Sequence, residues 1–178
     1  MSNLHEVEGI GRPVWSDDQL ENLMVFCLLD KQMSYDKVCL AYDMLKKEGY
    51  TTRAGIQEVE AEKISEVLKA AGYRFWRQTG NYIKEFGDNE INLRTADRPA
   101  IKESIKGIGM KLSSMFLVKS RGEEYAILDV HIKRWLEDRD LLASTYEKSE
   151  ENFIREAKRV GMTVEEFDIM LWEQMRKK

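Results

Sequence analysis

The stretch Ile101 to Leu136, IKESIKGIGMKLSSMFLVKSRGEEYAILDVHIKRWL, decides how the chain is read. At its centre Gly107-Ile108-Gly109 separates two segments of helical period, Lys111 follows at once, and Asp129 opens a later helical run. Two glycines this close permit positive φ and a close approach of backbone to a bulky group, while the next helix points its free N–H groups at the same place. The pattern describes a seat for phosphate, with Gly107, Gly109 and the neighbouring Lys106 as backbone-binding candidates.

Lys111 falls in the first turn of the second helix, where the positive end of the macrodipole disfavours an ammonium. One role for such a residue is a solvated surface lysine. The other is chemical, because a break in a local rule points to a site and an amine here is a candidate nucleophile.

Chain geometry brings in Asp129. From Lys111 to Ser120 a helix advances about 14 Å at ~1.5 Å per residue, and the roughly six residues from Glu123 to Leu128, if extended, cover about 20 Å. The chain can turn at Arg121-Gly122 and set Asp129 beside Lys111, where it also caps the helix starting at Val130-His131-Ile132.

Gly107-Ile108-Gly109-Met110-Lys111, followed eighteen residues after Lys111 by Leu128-Asp129-Val130-His131, resembles the helix-hairpin-helix DNA glycosylase/lyase superfamily. That superfamily includes endonuclease III and the 8-oxoguanine DNA glycosylases. The resemblance implies that Lys111 is the Schiff-base nucleophile and Asp129 the carboxylate that assists it. One departure is Lys106, where many members carry proline.

The resemblance is nearest to the compact, archaeal-type 8-oxoguanine glycosylases, in which a glutamine and an aspartate read the base edges and two tryptophans sandwich the ring. The matching positions are Gln32, Trp76, Asp168 and Trp172, with Phe75 an alternative stacker to Trp76. Asp168 and Trp172, four apart on the last helix, share one face. Their plainer roles are a turn residue, two core aromatics and an acid that suits the first turn of a helix.

Composition agrees with a helical protein: 178 residues, 43% hydrophobic and 34% charged, with two prolines. No apolar run is long enough to cross a bilayer and the N-terminus lacks a basic region followed by an apolar core, so a cytoplasmic protein is expected, and the resemblance implies nucleoid association when it acts on DNA. A net charge of −4 argues against a non-specific nucleic-acid binder. Local positive charge remains, with Lys102, Lys106, Lys111, Lys119, Arg121, Lys133 and Arg134 around the hairpin.

Cys27 and Cys39, the only cysteines, read as free buried thiols. They are too few for the four-cysteine iron–sulfur cluster that many endonuclease III-like relatives hold. His5 and His131 are likewise too few for a histidine-rich metal centre. No metal is expected, although the resemblance allows a monovalent cation at the hairpin.

The expected fold is all-α, a single domain over residues 1–178 with two helical lobes flanking a cleft. Lobe one takes about residues 16–90 plus the C-terminal helices, and lobe two about 98–145 with the hairpin. Ser16 to Gln19 and Thr163 to Glu166 read as capping boxes, Ser34 as a further cap, residues 87–100 as a linker, and residues 1–14 as an arm with Val14 and Trp15 tucked onto the body. The loop Asp30-Lys31-Gln32-Met33 after the first helix is a candidate site segment.

By resemblance, the expected function is a base-excision-repair glycosylase with abasic-site lyase activity, removing 8-oxoguanine from damaged DNA as a monomer with no membrane partner. The alternatives are the same scaffold acting on oxidised pyrimidines and a non-catalytic DNA-binding hairpin.

Overall fold

Ser16 opens the first helix with a reciprocal box: Gln19 N donates to Ser16 Oγ at 3.2 Å and Ser16 N donates to Gln19 Oε1 at 2.8 Å. Two N–H groups that a helix start leaves free are thereby satisfied. The computed structural model describes residues 14–176. In it this helix, α1 (Asp17–Leu29), is followed by α2 (Tyr35–Lys47), α3 (Arg53–Gln57), α4 (Ala61–Ala70), α5 (Trp76–Gly87), α6 (Arg98–Ser104), α7 (Met110–Arg121), α8 (Val130–Glu137), α9 (Tyr146–Arg159) and α10 (Val164–Arg176). Among the described residues there is no strand, and the all-α expectation holds.

Most of the arm expected over residues 1–14 lies outside the described residues. Val14 is exposed, whereas Trp15 packs against the body. Ser34 precedes α2 without a side-chain cap bond, while Thr163 and Glu166 do form the second box. The short α3 was not expected, and α6 begins inside the expected linker. Asp97 Oδ1 accepts from Ala100 N at 2.9 Å, and Pro99 sits in the first turn, where its missing N–H costs nothing.

Two helices are buried on most sides. Leu23, Met24, Val25, Cys27, Leu28 and Leu29 of α1 are inside, as are Leu112, Ser113, Ser114, Phe116, Leu117, Val118 and Ser120 of α7. Helices with so little exposed surface become the centre of a fold, and these two pack together. The buried serines of α7 satisfy themselves along the helix: Ser113 Oγ donates to Gly109 O, Ser114 Oγ to Met110 O and Ser120 Oγ to Phe116 O.

Buried apolar residues form two clusters. The first spans Leu20 to Leu117, and the second spans Ala126 to Leu171. Ile105, Ile108 and Leu112 of the hairpin belong to the first cluster, because the turn rides on Ile101 and Ile105, both pointing into it. The helices α9 and α10 instead join α8 through edge-to-face or tilted rings: Trp135–Phe153 at 6.0 Å, Trp135–Phe167 at 5.5 Å and Phe153–Phe167 at 5.1 Å. Between the clusters, Gly122 ends α7 at φ +70° and reverses the chain.

Candidate active site

The hairpin is closed by Ile108 N donating to Ile105 O at 3.1 Å. Gly107, third in that turn, has φ +89°, and a Cβ there would lie 2.4 Å from the Tyr82 ring. Glycine is required twice over, by dihedral and by space. Gly109 differs from the expectation of two special dihedrals: its φ is −104°, it is the cap residue of α7, and a Cβ would meet nothing within 4 Å. Its value lies in that open side, since no side chain covers the free N–H groups of the first turn.

Ile105, before Lys106, has φ −109° and ψ 106°, the extended region that a residue before proline would take. Lysine at position 106 therefore does not alter the entry to the turn. Its side chain is exposed, pairs with Glu85 Oε1 at 3.2 Å, and is not among the residues lining the cleft beside the hairpin. Lys31 does line it, with Nζ 4.4 Å from the centre of the Tyr82 ring that supports Gly107.

This cleft has a volume of about 1610 Å³ and is lined by both hairpin glycines, Lys111, Asp129, Asp168 and Trp172 among others. It exceeds the roughly 300–1,000 Å³ of a small-molecule pocket. Its walls come from both apolar clusters, so the space lies where the two meet.

Lys111 projects from the first turn of α7 into the cleft, and Nζ donates to Asp30 Oδ2 at 2.6 Å. Asp129 shares the cleft, but the amine's partner is Asp30. Asp129 Oδ1 instead accepts from Ile132 N at 2.8 Å as the cap of α8, the role that chain geometry anticipated. Asp30 immediately follows α1, and its own N–H donates to Phe26 O and Cys27 O.

A polar frame fixes the chain that delivers Asp129. Arg98 Nη1 donates to Glu150 Oε1 at 2.8 Å and Oε2 at 2.7 Å. Glu150 Oε1 accepts from Ala126 N at 3.0 Å. Tyr146 donates its hydroxyl proton to Ala126 O at 2.8 Å and accepts from Leu128 N at 3.2 Å. Burial raises the Tyr146 hydroxyl to about 12, so it stays protonated and can keep donating.

Asp168 stands at the wall on α10. Burial first, and the Asp129 carboxylate second, push its carboxyl up from 3.8 to about 7, with Lys119 and Lys111 pulling the other way. Trp172, one turn on, meets the Tyr35 ring edge-on at 6.2 Å.

Gln32 and Phe75 also line the cleft, and Trp76 is not among its lining residues. Lys69 Nζ lies 5.2 Å, and the Arg77 guanidinium 4.7 Å, from the centre of the Trp76 ring. Phe75 is the cap residue before α5, at φ −97° and ψ 26°, whereas Trp76 is the first helical residue.

Sequence reasoning missed Asp30 as the partner of Lys111. A signal was present, since an acid at the C-terminal end of a helix breaks the dipole rule just as Lys111 does at an N-terminal end. Cys27 and Cys39 are free and buried, and burial raises both thiols. Among the described residues no group of three or more His, Cys, Asp or Glu could hold a metal ion, and no helix is long and apolar enough to cross a membrane.

Residues 12–168 match the 8-oxoguanine DNA glycosylase family. The chain is 29% identical over 168 residues to an 8-oxoguanine DNA glycosylase/AP lyase of Thermoplasma volcanium, covering 87% of this chain and 79% of that protein. It superposes on the 8-oxoguanine DNA glycosylase of Thermotoga maritima with a TM-score of 0.77 and 25% identity, over 92% of this chain and 82% of that one. The Methanocaldococcus jannaschii 8-oxoguanine glycosylase/lyase, solved in complex with a 15mer DNA containing 8-oxoguanine, gives a TM-score of 0.70 and 26% identity over 92% and 83% of the two chains.

Proposed function

The chain belongs to the 8-oxoguanine DNA glycosylase family, and on that premise we propose that it excises 8-oxoguanine from DNA through Lys111 and then cuts the strand as an abasic-site lyase. The observation that carries this reading is the convergence, on one cleft beside a glycine hairpin, of an amine (Lys111) and two carboxylates (Asp129 and Asp168). Base, sugar and backbone each find a chemically suitable neighbour there.

An enzyme acting on a base inside a duplex must first turn the nucleotide out of the stack. Free N–H groups of the first turn of α7, uncovered at Gly109, hold a backbone phosphate. The extruded base enters between Phe75 and Trp172, taking Phe75 rather than Trp76 as the stacking residue. Gln32, which both donates and accepts, and Asp168 read its edges. Within the proposal the protein acts as a monomer on nucleoid DNA in the cytoplasm. A monovalent cation shared between hairpin carbonyls and the phosphate completes it, and no step depends on that ion.

The Lys111 amine uses its electron pair to form a bond to C1′ as the bond from C1′ to the base breaks. The base leaves with that bonding pair and takes a proton from water. The Asp129 carboxylate faces the positive charge that develops on the sugar. One proton of the alkylated Lys111 nitrogen passes to O4′ as the C1′–O4′ bond opens, and the nitrogen electron pair closes a protonated imine to C1′. Loss of a C2′ proton then expels the 3′ phosphate by β-elimination, after which water releases the lysine.

Single-turnover cleavage of duplexes carrying 8-oxoguanine, thymine glycol or unmodified guanine tests the proposal. The expected result is release and strand scission at 8-oxoguanine well above the other two. Preferred cleavage at thymine glycol would move the activity to oxidised pyrimidines, and salt-sensitive binding without scission would leave only a DNA-gripping hairpin.

A further inference from the structure

Resting on the reading of Lys111 as nucleophile, we propose that Asp30 is a positioning residue that holds the Lys111 ammonium in the free protein and receives its proton when the amine is needed. The contact is direct, Nζ to Oδ2 at 2.6 Å, and both side chains are about a third exposed, at 31% and 29%, to the same cleft. Asp129 is placed differently. Its Oδ1 caps α8 by accepting from Ile132 N, so that oxygen is already engaged within its own helix.

The proton balance is simple. One proton passes from Lys111 Nζ to Asp30 Oδ2, and the nitrogen keeps the electron pair that later bonds C1′. Charged and titratable groups around the pair are the Cys27 thiol and Tyr73 hydroxyl near Asp30, and Lys31, Lys119, Asp129 and Asp168 in the lining of the same cleft.

Asp30→Asn keeps the shape and removes the acceptor. In single-turnover excision of 8-oxoguanine near pH 7 it lowers the rate by about 100-fold or more, in the roughly 10²- to 10⁴-fold range of one positioned proton acceptor. The defect shrinks as pH rises, because solvent then supplies the free amine. It appears equally on a duplex with a preformed abasic site, where no base is read. Asp30→Glu recovers most of the rate, and Asp30→Ser, a second variant against misfolding, repeats the pH-dependent loss.

A loss that is the same at every pH, no loss at all, or a defect confined to the lesion-bearing duplex overturns the role of Asp30. Lys111→Gln run alongside separates the two ideas. Borohydride-trapped adduct persisting in Lys111→Gln defeats the nucleophile reading itself. Its disappearance there, with an unchanged pH profile in Asp30→Asn, defeats only the role of Asp30.

Discussion

Lys111 Nζ and Asp30 Oδ2 lie 2.6 Å apart, joining the first turn of α7 to the residue that follows α1. Each side chain sits at the unfavourable end of its own helix dipole, a cation where α7 begins and an anion where α1 ends. Paired, the two unfavourable placements offset one another. Urea unfolding of Asp30→Asn, Lys111→Met and the double variant is expected to show single losses of about 0.5–1.5 kcal/mol. These are modest because water reaches both groups, and the double variant loses less than the sum.

The two hairpin glycines are expected to respond differently to alanine. At Gly107 a methyl group would meet the Tyr82 ring in a backbone at φ +89°, and Gly107→Ala costs about 2 kcal/mol or more in thermal or urea unfolding. At Gly109 the space is open, and Gly109→Ala costs under about 1 kcal/mol. Its larger expected effect is on DNA affinity, measurable by titration at fixed salt, since a methyl group there would stand where the proposed function brings in a phosphate.

Asp168 gives the stability a pH dependence of definite sign. Its carboxyl is raised from 3.8 to about 7, so between those values the folded chain holds a proton that the unfolded chain has released. Stability from this group is present at low pH and falls as pH rises through that window. Asp168→Asn removes the slope. Above pH 7 it is expected to be the more stable protein by about 1–3 kcal/mol, below the roughly 4 kcal/mol of a fully dry site because the cleft still admits water. Urea midpoints from pH 4 to 8 measure it.

Phe75 lines the cleft and Trp76 does not. Phe75→Ala is therefore expected to lower single-turnover excision of 8-oxoguanine by about 10-fold or more, within the 1–3 kcal/mol of one base–aromatic stack. Trp76→Ala is expected to change stability more than excision, since its ring packs under Lys69 and Arg77.

The sequence was most legible where a local rule operates alone. Ser16 with Gln19, Thr163 with Glu166, Gly122 and Asp129 mark helix ends by chemistry that needs no distant partner, and the structure places each helix end there. It was least legible where side chains far apart in the chain meet. Asp30 and Lys111 are 81 residues apart, and a calculation of chain reach from Lys111 could bring Asp129 near but could not see Asp30. That Phe75 lines the cleft and Trp76 does not is likewise a matter of three-dimensional placement, which composition does not report. The cluster boundary was hidden for a similar reason, because Ile101, Ile105 and Ile108 have helical spacing that fits either side.

In the proposed reaction the amine of Lys111 becomes covalently joined to the sugar of the damaged nucleotide. Borohydride reduction during turnover on an 8-oxoguanine duplex, followed by peptide mapping of the trapped species, tests it directly. The expected result is an adduct on the peptide containing Lys111, absent in Lys111→Gln and retained at reduced yield in Asp129→Asn. An adduct on another residue, or release of the base with no trapped species in the unaltered protein, would contradict it.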